Sequence, residues 1–93
     1  MKIYIAVDME GISGINSHEY VMRSERLYPV GQRLMTADVN AAVRGAFDGG
    51  ADEVIVADVH AASGNLLVED LDPRQSCWPV RRTSRASPSL MKK

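Results

Sequence analysis

Two short apolar runs, Ile3-Tyr4-Ile5-Ala6-Val7 and Val54-Ile55-Val56-Ala57, stand far apart in the chain, and a carboxylate follows each at once, Asp8 and Asp58. Runs this short, rich in β-branched residues and bounded by turn-forming sequence, predict strands buried on both faces of a parallel sheet. Between them Met35, Val39, Ala42, Val43, Ala46 and Phe47 fall on one face of a helix, by their spacing in steps of three and four. Thr36 is the expected N-cap and Gly49-Gly50 the expected stop, with Pro29 to Leu34 forming an extra leading turn. Met22 and Met35 read as core. A helix inside so long a crossover makes a βαβ unit, which is right-handed in nearly all known cases. The predicted class is therefore α/β: a single βαβ unit of a larger, mostly parallel sheet.

Parallel strands end on the same edge of a sheet, and that carboxyl edge is where open α/β folds bind ligands. The first run leads into Asp8-Met9-Glu10-Gly11-Ile12-Ser13-Gly14 and the second into Asp58-Val59-His60. Residues two apart in extended chain point the same way, so Asp8 pairs with Glu10 and Asp58 with His60. Neighbouring strands lie ~4.8 Å apart, close enough for all four groups to share one small volume. Carboxylates and an imidazole without thiolate suit Zn²⁺, Mn²⁺ or a similar ion, and several carboxylates can hold two ions ~3.5–4 Å apart. Read without a metal, the same residues are turn and cap positions, with Gly11 and Gly14 serving a tight turn. Asp58 has a third reading, in which it orients the imidazole of His60 without touching the ion. His18 reads as a solvated loop residue, and Ser13 and Ser63 have no base nearby in sequence to make them nucleophiles.

Charge divides the chain. Twelve acidic and five basic residues lie in 1–72, whereas 73–93 hold six basic and no acidic residues, together with three prolines and four serines. The acidic part argues against nucleic acid as a partner, because phosphate binding needs clustered Lys and Arg. No apolar run approaches the ~20 residues that span a bilayer, so no membrane is expected. Cys77 is the single cysteine, which excludes an intramolecular disulfide; a reduced, cytoplasmic setting is the expectation. Two units follow: an α/β part over 1–72 and an irregular basic tail over 73–93.

Taken together, Met1-Lys2-Ile3-Tyr4, Val7-Asp8-Met9-Glu10-Gly11-Ile12-Ser13-Gly14, Arg33-Leu34-Met35-Thr36, Glu53-Val54, Asp58-Val59-His60 and Asn65-Leu66 resemble the N-terminal portion of the zinc-dependent D-aminopeptidase family. The resemblance covers Met1 to about Pro73. It implies a metalloprotease that releases N-terminal D-amino acids from short peptides or amides, with two zinc ions, in a decamer-like homo-oligomer. Carried onto this sequence, Asp8 looks like the carboxylate that bridges the ions, Glu10 a ligand of one and His60 a ligand of the other site, while Asp58 is not a ligand.

The family supplies a further histidine ligand, a further carboxylate ligand and a catalytic histidine from later in its sequence. No histidine follows His60 here and no acidic residue follows Asp72, so no catalytic residue is assigned within this chain. The abrupt switch to Arg, Ser and Pro near Pro73 suggests a shifted reading frame and a truncated enzyme; a natural basic extension that meets an acidic partner is the other reading of the tail. Two rival functions stand beside the metallohydrolase. One is a haloacid-dehalogenase-like phosphatase with Asp8 as nucleophile, against which Glu10 and the Asp58-Val59-His60 run both count. The other is a remnant with no activity of its own: two strands and one helix leave a sheet face and both edges uncovered, which predicts marginal stability and weak metal affinity.

Overall fold

The computed structural model describes residues 1–78, and the expectations about 79–93 lie outside them. Strand β1 spans Lys2–Val7, helix α1 Tyr28–Asp48, strand β2 Glu53–Asp58 and strand β3 Ser76–Trp78. The three strands form one sheet in the order β1-β2-β3, and both pairings are parallel. Lys2 pairs in register with Glu53 and Val7 with Asp58, so Asp8 and Asp58 leave the sheet on the same edge. This is the βαβ unit expected from the two apolar runs, extended by one strand.

Strand β3 is the addition. The sequence from Pro73 on carries no alternating pattern, and a strand of three residues is too short to show one. The chain reaches it through a turn that Arg74 holds in place: its guanidinium pairs with Asp72 at 2.8 Å and lies 4.5 Å from the centre of the Phe47 ring on α1. As a result β2 is paired on both sides, and among the described residues β1 and β3 are the edge strands.

Helix α1 covers one face of the sheet. Val7 and Val54 and Val56 of the strands share a core with Met35, Val39 and Val43 of the helix, and Ile3, Ile5, Ala46 and Phe47 pack around it. On the opposite face Tyr4 and Ala6 are exposed, so β1 is buried on one side instead of two. Ala42, at the margin of the helical stripe, is exposed as well. Met22 departs from the core reading, at 42% exposed, because Val21 beside it takes the inward position.

The helix starts earlier than Thr36. Pro29 lies in its first turn, where its fixed φ suits a helix and its missing N–H costs nothing. Thr36 is buried in mid-helix instead of capping: its hydroxyl donates to the Gln32 carbonyl at 2.8 Å and accepts the Leu67 N–H at 3.0 Å. A hydroxyl bonded back to the preceding turn is the other place a threonine is tolerated in a helix. At the far end Gly49 caps the helix as expected, and Gly50 follows with φ +109°.

Two glycines of α1 differ sharply in their surroundings. A Cβ on Gly31 would stand 2.1 Å from the Tyr20 carbonyl oxygen and 2.9 Å from Met9 Cε, whereas one on Gly45 would meet nothing within 4 Å. Gly31→Ala is expected to lower stability by about 1–3 kcal/mol through overpacking. Gly45→Ala is expected to raise it by about 0.5–1 kcal/mol, since alanine loses less backbone freedom in a helix. Urea denaturation of the two variants, read as midpoints at a common slope, checks both signs.

Candidate metal centre

Both arms of the centre grow from strand ends. Past β1 the chain alternates: Met9 is fully buried, while Asp8 and Glu10 on either side of it are exposed and face together, as extended spacing requires. The Met9 N–H donates to Asp8 Oδ1 at 2.8 Å, and the turn closes through Ile12 N–H to the Met9 carbonyl at 3.2 Å, with Gly11 at φ +97°. Past β2, the imidazole of His60 comes to these carboxylates. Its Nδ1 lies 2.9 Å from Asp8 Oδ1 and 3.3 Å from Glu10 Oε1, and one donor atom from each of the three residues lies within 4.8 Å of the others.

The other ring nitrogen fixes what Nδ1 can do. His60 Nε2 is 2.9 Å from the Val21 carbonyl oxygen, which only accepts, so Nε2 carries the hydrogen. In the neutral ring Nδ1 then presents its lone pair to the two carboxylates. Three oxygen acceptors around one imidazole call for a cation at Nδ1, either a proton or a metal ion. The donor set of one nitrogen and two carboxylate oxygens without sulfur fits Zn²⁺ or Mn²⁺. The carboxylates are open to solvent, with side chains 51% and 63% exposed, so an ion can enter, while the His60 side chain is held in place at 10%.

The titration behaviour follows from the same contacts. Burial disfavours the charged imidazolium, but the Val21 carbonyl and then Asp8 and Glu10 outweigh it and hold His60 above its ordinary 6.5. Burial likewise pushes the Asp8 carboxyl up, and the His60 ring and the Met9 N–H outweigh it, leaving Asp8 below 3.8. Stability from the raised His60 is fully present below 6.5 and lost as pH rises through its folded value. Stability from the depressed Asp8 is present above 3.8 and lost as pH falls through its folded value. The metal-free chain is therefore expected to gain most from the pair between those two limits. Zinc affinity should instead climb as pH rises through the His60 value, because the ion displaces a proton. Thermal melts across pH with chelator and with zinc would show the two opposite slopes.

Asp58 plays a part different from a direct hold on the imidazole. It is 4% exposed, and its Oδ1 accepts from the His60 N–H at 3.4 Å and Asn65 Nδ2 at 2.9 Å, while Oδ2 accepts from the N–H groups of Asn65 at 2.6 Å and Leu66 at 2.9 Å. It thus organises the backbone of the loop that carries His60, and the ring is oriented by Val21. Asn65 is fully buried at the hub of this loop: its Nδ2 also donates to the His60 carbonyl at 2.8 Å, and its Oδ1 accepts from the Tyr28 hydroxyl. Ala61 and Ser63 adopt φ of +50° and +71° within the same loop. Non-glycine residues hold such conformations only where surrounding bonds fix them. Sequence reasoning gave Asn65 no role, because an asparagine after Ser63-Gly64 looks like any turn residue. His18 is exposed and stays outside the cluster.

The sequence model of the D-aminopeptidase family matches residues 1–79. The chain belongs to the D-aminopeptidase family. A curated D-aminopeptidase of Bacillus subtilis is 44% identical over 73 residues, which cover 78% of this chain and 27% of that protein. A solved structure, the Zn-dependent D-aminopeptidase DppA from Bacillus subtilis, described as a self-compartmentalizing protease, superimposes with a TM-score of 0.83 at 36% identity. That match covers 95% of this chain and 32% of the solved one. The chain therefore spans about a third or less of the length of these D-aminopeptidases, and the α/β core with β3 lies inside the matched region. These matches do not favour the phosphatase reading. Among the described residues no helix is long and apolar enough to cross a membrane.

Proposed function

We propose that this chain carries the Asp8, Glu10 and His60 part of a two-zinc D-aminopeptidase centre and binds zinc there without completing the catalytic site. The observation that carries the reading is the convergence of His60 Nδ1 with both carboxylates at the shared edge of β1 and β2. DppA's description as Zn-dependent and the family match support the choice of metal. When bound, the ions of such a centre lower the pKa of a coordinated water and polarise the scissile carbonyl.

Asp8, Glu10 and His60 would hold the ions; by the family resemblance Asp8 would serve both, Glu10 one of them and His60 the other. His60 stays neutral at Nδ1 and keeps its hydrogen on Nε2 through Val21. Asp58 and Asn65 hold the His60 backbone so that the ring meets the carboxylates. The substrates of the complete site are short peptides or amides with an N-terminal D-amino acid, and DppA's description as self-compartmentalizing supports assembly into a homo-oligomer. Residues 73–93 hold no histidine, aspartate or glutamate.

Incubation of the zinc-loaded 93-residue chain with a D-alanyl chromogenic amide tests this directly. Zinc is expected to bind while hydrolysis stays at the metal-free rate. Turnover above that control, abolished by Asp8→Asn, would show that the chain holds a working centre and overturn the incomplete one.

A further inference from the structure

The two arms of the metal centre rest on one point of α1. Gly31, buried in the first turns of the helix, faces the Tyr20 carbonyl and the Met9 side chain so closely that a Cβ would stand 2.1 Å and 2.9 Å from them. Met9 lies between the two carboxylates, Asp8 and Glu10, and its burial is what turns both of them outward. Tyr20 closes a 3-10 turn over His18–Tyr20, and the next residue, Val21, bonds its N–H to the His18 carbonyl at 3.1 Å and gives its own carbonyl to His60 Nε2 at 2.9 Å. The helix thus touches the carboxylate arm through Met9 and the imidazole arm through Tyr20 and Val21.

We propose that Gly31 is a positioning residue for the metal centre: by letting the 18–21 turn seat against α1, it sets the Val21 carbonyl that holds the hydrogen on His60 Nε2 and makes Nδ1 the coordinating nitrogen. The choice of nitrogen is then imposed by the main chain and not by a side-chain carboxylate, the more familiar partner of a ligating histidine. No side-chain acceptor competes for Nε2 among the described contacts, whereas Nδ1 has two oxygens facing it. A residue larger than glycine at 31 must push the turn away, and the Val21 carbonyl moves with it. The proposal rests on the metal-centre reading above and adds which atom coordinates and what selects it.

NMR of the full chain, loaded with a spin-active cadmium isotope and labelled in its histidine ring nitrogens, reads the coordinating atom without reference to activity. The expected result is metal coupling to Nδ1 of His60, with a protected hydrogen on Nε2. Coupling to Nε2 would overturn the proposal while leaving the metal centre standing. Absence of coupling to either His60 nitrogen would overturn the metal centre itself, so the two failures are distinguishable. In parallel, Gly31→Ala is expected to weaken cadmium binding by about 10- to 100-fold, the range for groups that orient a ligand, and to weaken the protection of the Nε2 hydrogen. Gly45→Ala, on the same helix in open space, is expected to change neither. Unaltered affinity and Nε2 protection in Gly31→Ala would overturn the role of Gly31. Should that variant not fold, the coupling pattern of the unaltered chain decides the assignment by itself.

Discussion

His60→Ala is expected to reduce zinc affinity by more than about 100-fold, beyond the range found for residues that only orient a ligand. His60 contributes the single nitrogen of the cluster, and its removal leaves Asp8 and Glu10, two carboxylates open to water. Such a pair resembles the exposed acidic surface of many proteins and has no reason to prefer zinc over solvent cations. The proton balance reinforces the loss. In the unaltered chain burial works against the charged imidazole, but the Val21 carbonyl and the carboxylates outweigh it and keep it above its ordinary value, so zinc binding to the protonated ring releases a proton. The variant should lose that proton release together with the affinity, which calorimetry in buffers of different ionisation enthalpy would read. His18→Ala, at an exposed residue outside the cluster, should leave both unchanged.

Asp58→Ala is expected to cause the largest loss of stability, about 3 kcal/mol or more. Hydrogen bonds to a charged group contribute about 1.5–3 kcal/mol each, and each buried donor left without a partner costs about 1–3 kcal/mol. The change removes the acceptor of three backbone N–H groups and of the Asn65 amide in a loop where Asp58, His60, Asn65 and Leu66 are all buried. Native domains are stable by only about 5–15 kcal/mol, and chains this short sit toward the lower end. The substitution should therefore remove about half or more of that stability, read as a large fall in the urea midpoint. Because the loop that carries His60 depends on Asp58, zinc affinity should fall with it. Urea titration with and without zinc separates this case from His60→Ala, which removes the ligand and leaves the loop bonds of Asp58 intact.

The strands, the helix and the three converging side chains were readable from sequence because each has a periodic or positional signal. Lys2–Val7 and Glu53–Asp58 centre on apolar runs of strand length, and a two-residue spacing after β1 puts Asp8 with Glu10; after β2 the His60 ring joins them, whereas the Asp58 carboxylate turns to Asn65 and Leu66 and does not share their volume. Thr36 shows where a local rule loses: it has the chemistry of a cap, but Pro29 starts the helix earlier and the hydroxyl finds partners within the fold. Strand β3 gives no pattern in three residues, and its place comes from Arg74 gripping Asp72 and Phe47, a tertiary contact. The orientation of His60 comes from a main-chain carbonyl, which every residue possesses and no sequence motif marks. Asn65 was hidden for a related reason, since its partners Tyr28, Asp58 and His60 converge only in the folded chain.

Zinc is expected between His60 and the carboxylates of Asp8 and Glu10. X-ray absorption at the zinc edge, on the 93-residue chain loaded with one equivalent of metal, tests it most directly. The expected spectrum shows nitrogen and oxygen neighbours at about 2.0–2.1 Å, with the outer scattering of one imidazole that disappears in His60→Ala. A sulfur shell at about 2.3 Å, which only Cys77 or a methionine could supply, or an imidazole signal that survives in His60→Ala, would contradict it.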